Sequence, residues 1–120
     1  MTLASAPIPS ACASSAAPRQ EQLDPASLSA TRQLIVFEAL DCGYCQRFEA
    51  EILAQWQTDV PVARSLQRTA PAGFQLEQPV FATPTIVLFE QGVETSRYTG
   101  YDSDRSRFWK WLGFRLLTPE

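Results

Sequence analysis

The stretch that decides the fold is LIVFEALDCGYCQRFEAEILAQW, residues 34–56. It opens with a continuous apolar run, Leu34–Leu40, that only Glu38 interrupts. A run of this kind is typical of a strand that is covered on both faces of an α/β sheet. From Cys45 onward apolar residues recur at four-residue steps, which predicts an amphipathic helix: Phe48, Ile52 and Trp56. Cys42 and Cys45 therefore lie at a strand-to-helix turn.

The remaining elements complete the order β-α-β then β-β-α. The segment VPVARSL, Val60–Leu66, predicts a second strand that runs parallel to the first after a right-handed crossover. TPTIVLFE and VETSRYTG predict two strands joined by a hairpin at Gln91-Gly92. The last amphipathic segment predicts a helix with Ser103 or Asp104 as its N-cap.

The first thirty residues differ in composition from the rest of the chain. They are rich in Ala, Ser and Pro, a composition that buries too little apolar surface to offset the entropy of ordering. We expect residues 1–30 to form a flexible tail, with small-residue triplets that resemble the remnant of an export signal. Residues 31–118 are predicted to form one domain, and Cys12 is interpreted as an incidental free thiol in the tail.

Composition excludes several classes of function. The chain has 120 residues, 45% of them hydrophobic, and a net charge of -3 without any basic block, so nucleic-acid binding is not expected. The apolar runs are far shorter than the roughly 20 residues that cross a bilayer, and we expect a soluble protein. With no histidine in the chain, Ser-His-Asp and Cys-His nucleophiles are excluded. Glycines are too scattered for a nucleotide-binding loop.

The C-x-x-C spacing allows three interpretations. A zinc site needs four ligands, which this chain supplies only with carboxylates or a second copy, so we expect no metal. A static crosslink over so short a loop adds little stability. On the first turn of a helix, however, unpaired backbone N–H groups favour a thiolate at Cys42, and Cys45 is close enough to form a disulfide with it. This arrangement favours thiol-disulfide exchange, with Cys42 as nucleophile and Cys45 as resolver.

The segment FATPTIVLF supplies a second element of the site. A Thr-Pro pair at the start of a strand, here Thr83-Pro84, favours a cis peptide bond and leaves nearby backbone free to pair with an incoming chain. Taken with the cysteine motif, this pair makes the region from about Gln33 to Leu117 resemble the thioredoxin superfamily. The runs CGYCQRFEAEI, FATPTIVL and GYDSDRSRFWKWLG look most like the SoxS group, the periplasmic thioredoxins of bacterial sulfur-oxidation (Sox) systems.

The resemblance implies a thioredoxin-like α/β fold around a small mixed sheet. It implies a periplasmic reductant that cleaves mixed disulfides on a SoxYZ-like sulfur carrier and is recharged by a membrane thiol transporter. Gly43, Tyr44, Thr83 and Pro84 would bind the substrate, with the Thr83 backbone aligning it as a short strand. A redox-active Cys42–Cys45 disulfide would take the place of a cofactor, and we expect a monomer.

One departure from the superfamily pattern concerns a carboxylate. Thioredoxins carry a buried acid six residues before the first cysteine, where this chain has Val36. Strand alternation puts Glu38 on the same face, nearer the motif. Glu38 is therefore either a proton-transfer group for Cys45 or a solvated carboxylate at the end of the strand.

Two alternative functions remain open. Tyr44, Arg47 and the segment TGYDSD are similar to the glutathione site of glutaredoxins, although the lysine before the first cysteine is missing and Ala-Thr-Pro replaces the usual Thr-Val-Pro. The other alternative is a binding module of the same fold that does not catalyse turnover.

Overall fold

The apolar run before the cysteines forms the central strand of a mixed sheet. The computed structural model describes residues 17–117, and within them five strands pair in the order β1-β3-β2-β4-β5. The strands are β1 (Arg19–Gln20), β2 (Arg32–Phe37), β3 (Val62–Ser65), β4 (Thr85–Glu90) and β5 (Val93–Thr99). The helices are α1 (Gly43–Glu51) and α2 (Arg105–Leu117). The predicted fold class is confirmed, and so is the predicted element order from β2 onward, whereas strand β1 was not predicted.

Strand β2 is buried on both faces, as its composition predicts. Leu34 and Val36 lie in the cluster between the sheet and the two helices, while Ile35 and Phe37 lie in a second cluster on the opposite face. On the helical side Phe48 of α1 and Phe108 of α2 meet edge to face, with ring centroids 5.1 Å apart. This contact fixes α1, and with it the cysteine motif, against the sheet.

Strand pairing follows the predicted directions. Strand β2 is parallel to β3 and antiparallel to β4, and β4 is antiparallel to β5. At the hairpin Gln91 has φ 57° and Gly92 has φ 80°. Two consecutive residues with positive φ form the turn whose twist matches that of the flanking strands. The hairpin prediction is therefore confirmed.

The structure differs from the predicted domain boundary near residue 31. Strand β1 pairs in parallel with β3, and Leu23 is buried in the core on the face of the sheet away from the helices. The sheet therefore begins at Arg19, because even two residues of ladder and one buried leucine offset part of the ordering entropy. Residues 1–16, which include Cys12 and the triplets that resemble an export signal, lie outside the described residues.

Helix α1 begins earlier and ends earlier than the sequence periodicity indicates. It starts at Gly43, not at Cys45, and after Glu51 a short 3-10 turn, Leu53–Gln55, follows. Trp56 thus lies beyond the helix, where it packs against the core. None of the helices in residues 17–117 is long and apolar enough to cross a membrane.

Candidate active site

Cys42 occupies the N-cap of α1, and its sulfur performs the capping. The Cys42 Sγ atom accepts a hydrogen bond from the backbone N–H of Cys45 at 3.0 Å. The Cys42 carbonyl accepts the first helical bond, from Gln46 N–H at 3.1 Å. Because N–H groups at a helix N-terminus are unpaired, they favour negative charge on a capping atom. The site therefore stabilises a thiolate at Cys42 when the motif is reduced.

Cys42 and Cys45 form a disulfide, so the structure represents the oxidised motif. Of the two residues Cys42 is the more exposed, at 7% against 1% for Cys45. An incoming thiol or disulfide therefore reaches the Cys42 sulfur more easily. The roles of Cys42 as attacking cysteine and Cys45 as resolving cysteine stay predictions, with which this difference in burial is compatible.

Tyr44 projects from the motif into solvent. Its side chain is 57% exposed, and the guanidinium carbon of Arg47 lies 5.5 Å from the centre of its ring. Arg47 also donates a hydrogen bond to the Ser103 hydroxyl at 3.1 Å, which connects α1 to the loop before α2. At Gly43 an added Cβ would meet no atom within 4 Å, so the space beside this residue is open.

The second predicted element lies directly beside the motif. The Thr83–Pro84 peptide bond is cis, and the Thr83 hydroxyl donates a hydrogen bond to Cys42 Sγ at 3.5 Å. The Pro84 carbonyl accepts a hydrogen bond from Gly100 N–H at 2.7 Å, which holds the segment to the end of β5. The fold therefore brings together residues that are about forty positions apart in the chain.

An open groove of about 630 Å³ lies next to Thr83. Its lining includes aromatic and charged side chains from three parts of the chain: Tyr44, Thr83, Tyr98, Tyr101, Asp102 and Arg107. Arg107 is held at the rim by Asp102, with 2.6 Å between Nη1 and Oδ2. A groove of this size, open to solvent beside the cysteines, can receive a segment of polypeptide or a small thiol compound.

Glu38 is buried, and this excludes the interpretation of a solvated carboxylate. Its side chain is 1% exposed, and both carboxylate oxygens accept hydrogen bonds from Arg64, at 2.6 and 3.1 Å. Arg64 also donates to Glu49 of α1 at 3.0 Å and to the Ala17 carbonyl at 2.8 Å. A buried carboxylate is stable only with such a partner, because an unpaired buried charge costs several kcal/mol, on the order of 3–5.

Arg64 connects the end of β2 to the helix that carries the cysteines. Burial lowers the pKa of its guanidinium, but the hydrogen bonds and charges of Glu38 and Glu49 outweigh that effect, so the pKa lies above its ordinary value. Arg64 therefore stays charged. Since Glu49 lies one helical turn after Cys45, the ion pair lies on the face of the sheet that α1 covers.

Tyr101 links the groove to the same helix. Its hydroxyl donates a hydrogen bond to Glu51 at 2.6 Å, and its ring meets Phe48 edge to face with centroids 5.2 Å apart. Burial raises the pKa of the Tyr101 hydroxyl well above its ordinary value, and the hydrogen bond and charge of Glu51 raise it further. Tyr101 therefore remains a protonated donor that fixes this wall of the groove.

Sequence reasoning missed Arg64. It treated VPVARSL only as a strand, yet an arginine inside a short, otherwise apolar strand is a signal that a buried carboxylate lies nearby. The paired strand supplies that carboxylate, since Arg64 lies opposite Val36, two residues before Glu38. Strand alternation predicted the position of Glu38. Its pairing with Arg64, however, depends on the register of β2 and β3.

Comparison with known proteins gives a consistent result. Residues 19–115 match the family described as Thioredoxin-like domain. The crystal structure of the periplasmic thioredoxin SoxS from Paracoccus pantotrophus, in its reduced form, is 38% identical with a TM-score of 0.63, covering 69% of this chain and 93% of that one.

A second solved structure, thioredoxin NaTrxh from Nicotiana alata, is 26% identical with a TM-score of 0.49, covering 71% and 74% of the two chains. No curated protein matches the sequence significantly. The family match spans both halves of the site, the cysteine motif and the Thr83–Pro84 segment. The chain therefore belongs to the thioredoxin-like domain family, and its Cys42–Cys45 pair is that of a thiol-disulfide oxidoreductase.

Proposed function

We propose that the chain is a periplasmic reductant dedicated to mixed disulfides on a sulfur-carrier protein of the SoxYZ type. The observation that carries the proposal is the 38% identity to the periplasmic thioredoxin SoxS over 93% of that protein. The motif geometry is compatible with it, because Cys42, the less buried of the two cysteines, lies beside a groove large enough for a carrier's terminal segment.

The reaction proceeds in two exchanges. The Cys42 thiolate attacks the partner's mixed disulfide, a new Cys42–partner disulfide forms, and the blocking group leaves as a thiolate that takes up a proton. The Cys45 thiolate then attacks the Cys42 sulfur, which restores the Cys42–Cys45 disulfide and releases the partner thiol. In total the substrate gains two electrons and two protons, and the dithiol becomes the disulfide. A membrane thiol transporter returns the two electrons from a cellular dithiol.

Substrate binding uses the residues around the Cys42 sulfur. Gly43 and Tyr44 form the motif side, and the Thr83 backbone next to Pro84 aligns the partner segment as a short strand. Tyr44 and Phe81 are both exposed large hydrophobic residues, at 57% and 67%, and they offer the partner an apolar contact near the disulfide. The protein acts as a monomer, with this surface free for the partner.

Glu38 is the proposed proton acceptor for Cys45 during resolution. In support, Glu38 lies on the side of the sheet that α1 covers, in the Arg64 network that reaches Glu49 one turn from Cys45. In Glu38→Gln the second exchange should slow, while the first, at Cys42, keeps its rate. Glu49→Gln is the matched control, because it removes another carboxylate partner of Arg64. Unchanged resolution in Glu38→Gln, or equal slowing in Glu49→Gln, contradicts the role.

The experiment that tests the function is a competition between three disulfides. Wild type, Cys42→Ser and Cys45→Ser are each given a mixed disulfide on a carrier-tail peptide, insulin and glutathione disulfide. Selective turnover of the carrier peptide, with covalent trapping by Cys45→Ser, supports the proposal. Equal turnover of insulin contradicts a dedicated substrate.

The same competition tests the second candidate, a glutathione-dependent reductase. The observation that favours this candidate is the groove, which places Tyr44, Thr83 and Asp102 around the approach to the motif. Preference for glutathione disulfide would replace the carrier proposal with this one. The absence of any turnover would favour a non-catalytic binding module.

A further inference from the structure

The segment that carries Thr83 is long and lacks regular structure. Between the end of β3 at Ser65 and the start of β4 at Thr85 the chain forms neither helix nor strand. Loops of this length without secondary structure are uncommon in compact domains and are usually either functional or disordered. Since the Thr83 hydroxyl contacts Cys42 Sγ, whatever anchors the segment also determines the geometry at the reacting sulfur.

The middle of the segment is attached to the β4–β5 hairpin. Gln75 N–H donates to the Gly92 carbonyl at 2.8 Å, and Glu94 N–H donates to the Gln75 carbonyl at 2.9 Å. Phe74 packs edge to face on Phe89, with centroids 5.2 Å apart. These contacts stop at Gln75, eight positions before Thr83, and the backbone ladder does not continue from there.

Beyond Gln75 the segment is held by an ion pair on β5, between Glu94 and Arg97. The Glu94 carboxylate accepts a hydrogen bond from Glu77 N–H at 2.7 Å. Arg97 donates to the Gln78 carbonyl at 2.7 Å and to the Pro79 carbonyl at 3.1 Å. The guanidinium also forms two hydrogen bonds to Glu94, at 2.6 and 2.9 Å. We call this pair with its three backbone partners the Glu94–Arg97 clamp.

A β-bulge makes the clamp possible. Residues three apart on a regular strand point to opposite faces, so Glu94 and Arg97 would not meet. In the register of β5, however, Leu88 pairs with Ser96 and Phe89 with Glu94, which leaves Thr95 as an extra residue. A bulge of this kind re-aims the side chains that flank it. It brings the carboxylate and the guanidinium together at the edge of the sheet.

The chain between the clamp and Thr83 is itself held. Val80 is buried at 5%, and its carbonyl accepts a hydrogen bond from Arg68 at 3.4 Å. The Ala82 carbonyl accepts a hydrogen bond from the Thr85 hydroxyl at 2.6 Å. A displacement at Pro79 is therefore transmitted along a short, restrained segment to Thr83.

We propose that Glu94 and Arg97 are positioning residues for catalysis: they set the place of the segment Gln78–Pro84 and so hold the Thr83 hydroxyl against the Cys42 sulfur. Neither residue touches the cysteines. Arg97 also lines the groove next to Thr83, so its charge could act on Cys42 directly. A direct charge effect would persist without the Thr83 hydroxyl, whereas an effect on the position of Thr83 would not, and this difference makes the proposal testable.

The test is a double-mutant cycle between Arg97→Gln and Thr83→Val. The readout is the rate at which reduced Cys42 reacts with iodoacetamide at fixed neutral pH. All variants are made in the 120-residue chain with Cys12→Ser and Cys45→Ser, so that Cys42 is the thiol that is alkylated. A hydrogen bond to a charged sulfur favours the thiolate. We expect Arg97→Gln to slow alkylation on the order of tenfold when Thr83 is present, and to change it little in the Thr83→Val background.

The control variant is Arg32→Gln, which breaks the Arg32–Glu90 pair, 2.8 Å between Nε and Oε2, at the other end of β4. It should leave the alkylation rate unchanged. An equal effect of Arg97→Gln with and without the Thr83 hydroxyl overturns the proposal, because the effect then does not pass through Thr83 and comes from the charge of Arg97 or from a general loosening of the fold. An equal effect of Arg32→Gln also overturns it, because that result means a general loosening.

A second variant covers the case in which Arg97→Gln does not fold. Glu94→Gln keeps the Arg97 donors for Gln78 and Pro79 and should give a smaller slowing, again confined to the background that contains Thr83. Slowing in both backgrounds overturns the proposal. Because the readout uses a small reagent, its result does not depend on whether a sulfur carrier is the substrate.

Discussion

The cysteine motif and the Thr83–Pro84 segment face each other across one hydrogen bond, yet the chain holds them by different means. The motif is capped within a few residues by its own sulfur and is anchored to the sheet through the buried Arg64. The facing segment depends on side chains of β5 that come later in the sequence. Local contacts therefore cap the nucleophile, whereas contacts between distant segments anchor its helix and also build the surface that meets it.

The largest effect should come from the motif half. Cys42→Ser removes the attacking sulfur and should reduce turnover of the carrier-peptide mixed disulfide to the background rate, because a serine hydroxyl is not ionised at neutral pH. Cys45→Ser keeps the first exchange and should accumulate a covalent adduct with the substrate, visible by mass spectrometry. If Cys42→Ser traps the substrate and Cys45→Ser does not, the assignment of the two roles is reversed.

The next prediction concerns the contribution of Arg64, which anchors the cysteine motif to the sheet, to the free energy of unfolding. Arg64→Ala removes both hydrogen bonds to the buried Glu38 and leaves it the longer ion pair with Arg19, at 3.8 Å, so it should lower the free energy of unfolding by about 3–5 kcal/mol, measured by urea denaturation. Arg32→Ala is the control, since it breaks a more exposed pair and should cost about 1 kcal/mol or less. Equal losses would mean that the Arg64 network contributes no more than a surface ion pair.

Thr83→Val should have a smaller effect, limited to catalysis. The change keeps the shape of the side chain and removes the donor to Cys42 Sγ, so turnover of the carrier-peptide mixed disulfide should fall about tenfold or less while the free energy of unfolding stays within about 1 kcal/mol. Thr83→Ser retains the hydroxyl and should stay close to wild type. Normal turnover in Thr83→Val would show that the facing segment acts through its backbone alone.

The same contrast explains what the sequence can predict. The apolar run of β2, the turn at Gln91-Gly92 and the helix after Cys42 are each specified by neighbouring residues, and the structure confirms them. The exact start of α1 at Gly43 was missed, because a cysteine sulfur is not a usual N-cap.

Other features were out of reach for a different reason. Arg64 depends on the register of β2 and β3, and the Glu94–Arg97 clamp depends on a bulge at Thr95, which no residue type signals. Strand β1 consists of two residues in a segment whose composition indicates a tail, and only pairing with β3 gives it structure. Interactions between distant segments decide these features, and a sequence read locally does not contain them.

The smallest expected effect concerns the Glu94–Arg97 clamp and is a change in how the free energy of unfolding depends on pH. Burial raises the pKa of the Glu94 carboxyl, but the hydrogen bonds from Arg97 and from the Glu77 N–H, with the charge of Arg97, outweigh it and hold the pKa below its ordinary value. A carboxyl whose pKa is lowered by folding stabilises the fold above its unfolded pKa, about 4.3 for Glu, and this stabilisation is lost as the pH falls through the folded value.

The free energy of unfolding of wild type should therefore exceed that of Glu94→Gln by a constant amount from neutral pH down to about pH 5, and the difference should shrink below about pH 4. Urea denaturation at a series of pH values measures it. Arg97→Gln is the control, because it removes the guanidinium that lowers the pKa and should flatten the same part of the profile. A difference between wild type and Glu94→Gln that stays constant down to the lowest pH would mean that the clamp is held by shape and backbone contacts alone. The two halves of the site would then differ in their dependence on charge as well, because the motif half is anchored through the buried Arg64–Glu38 ion pair.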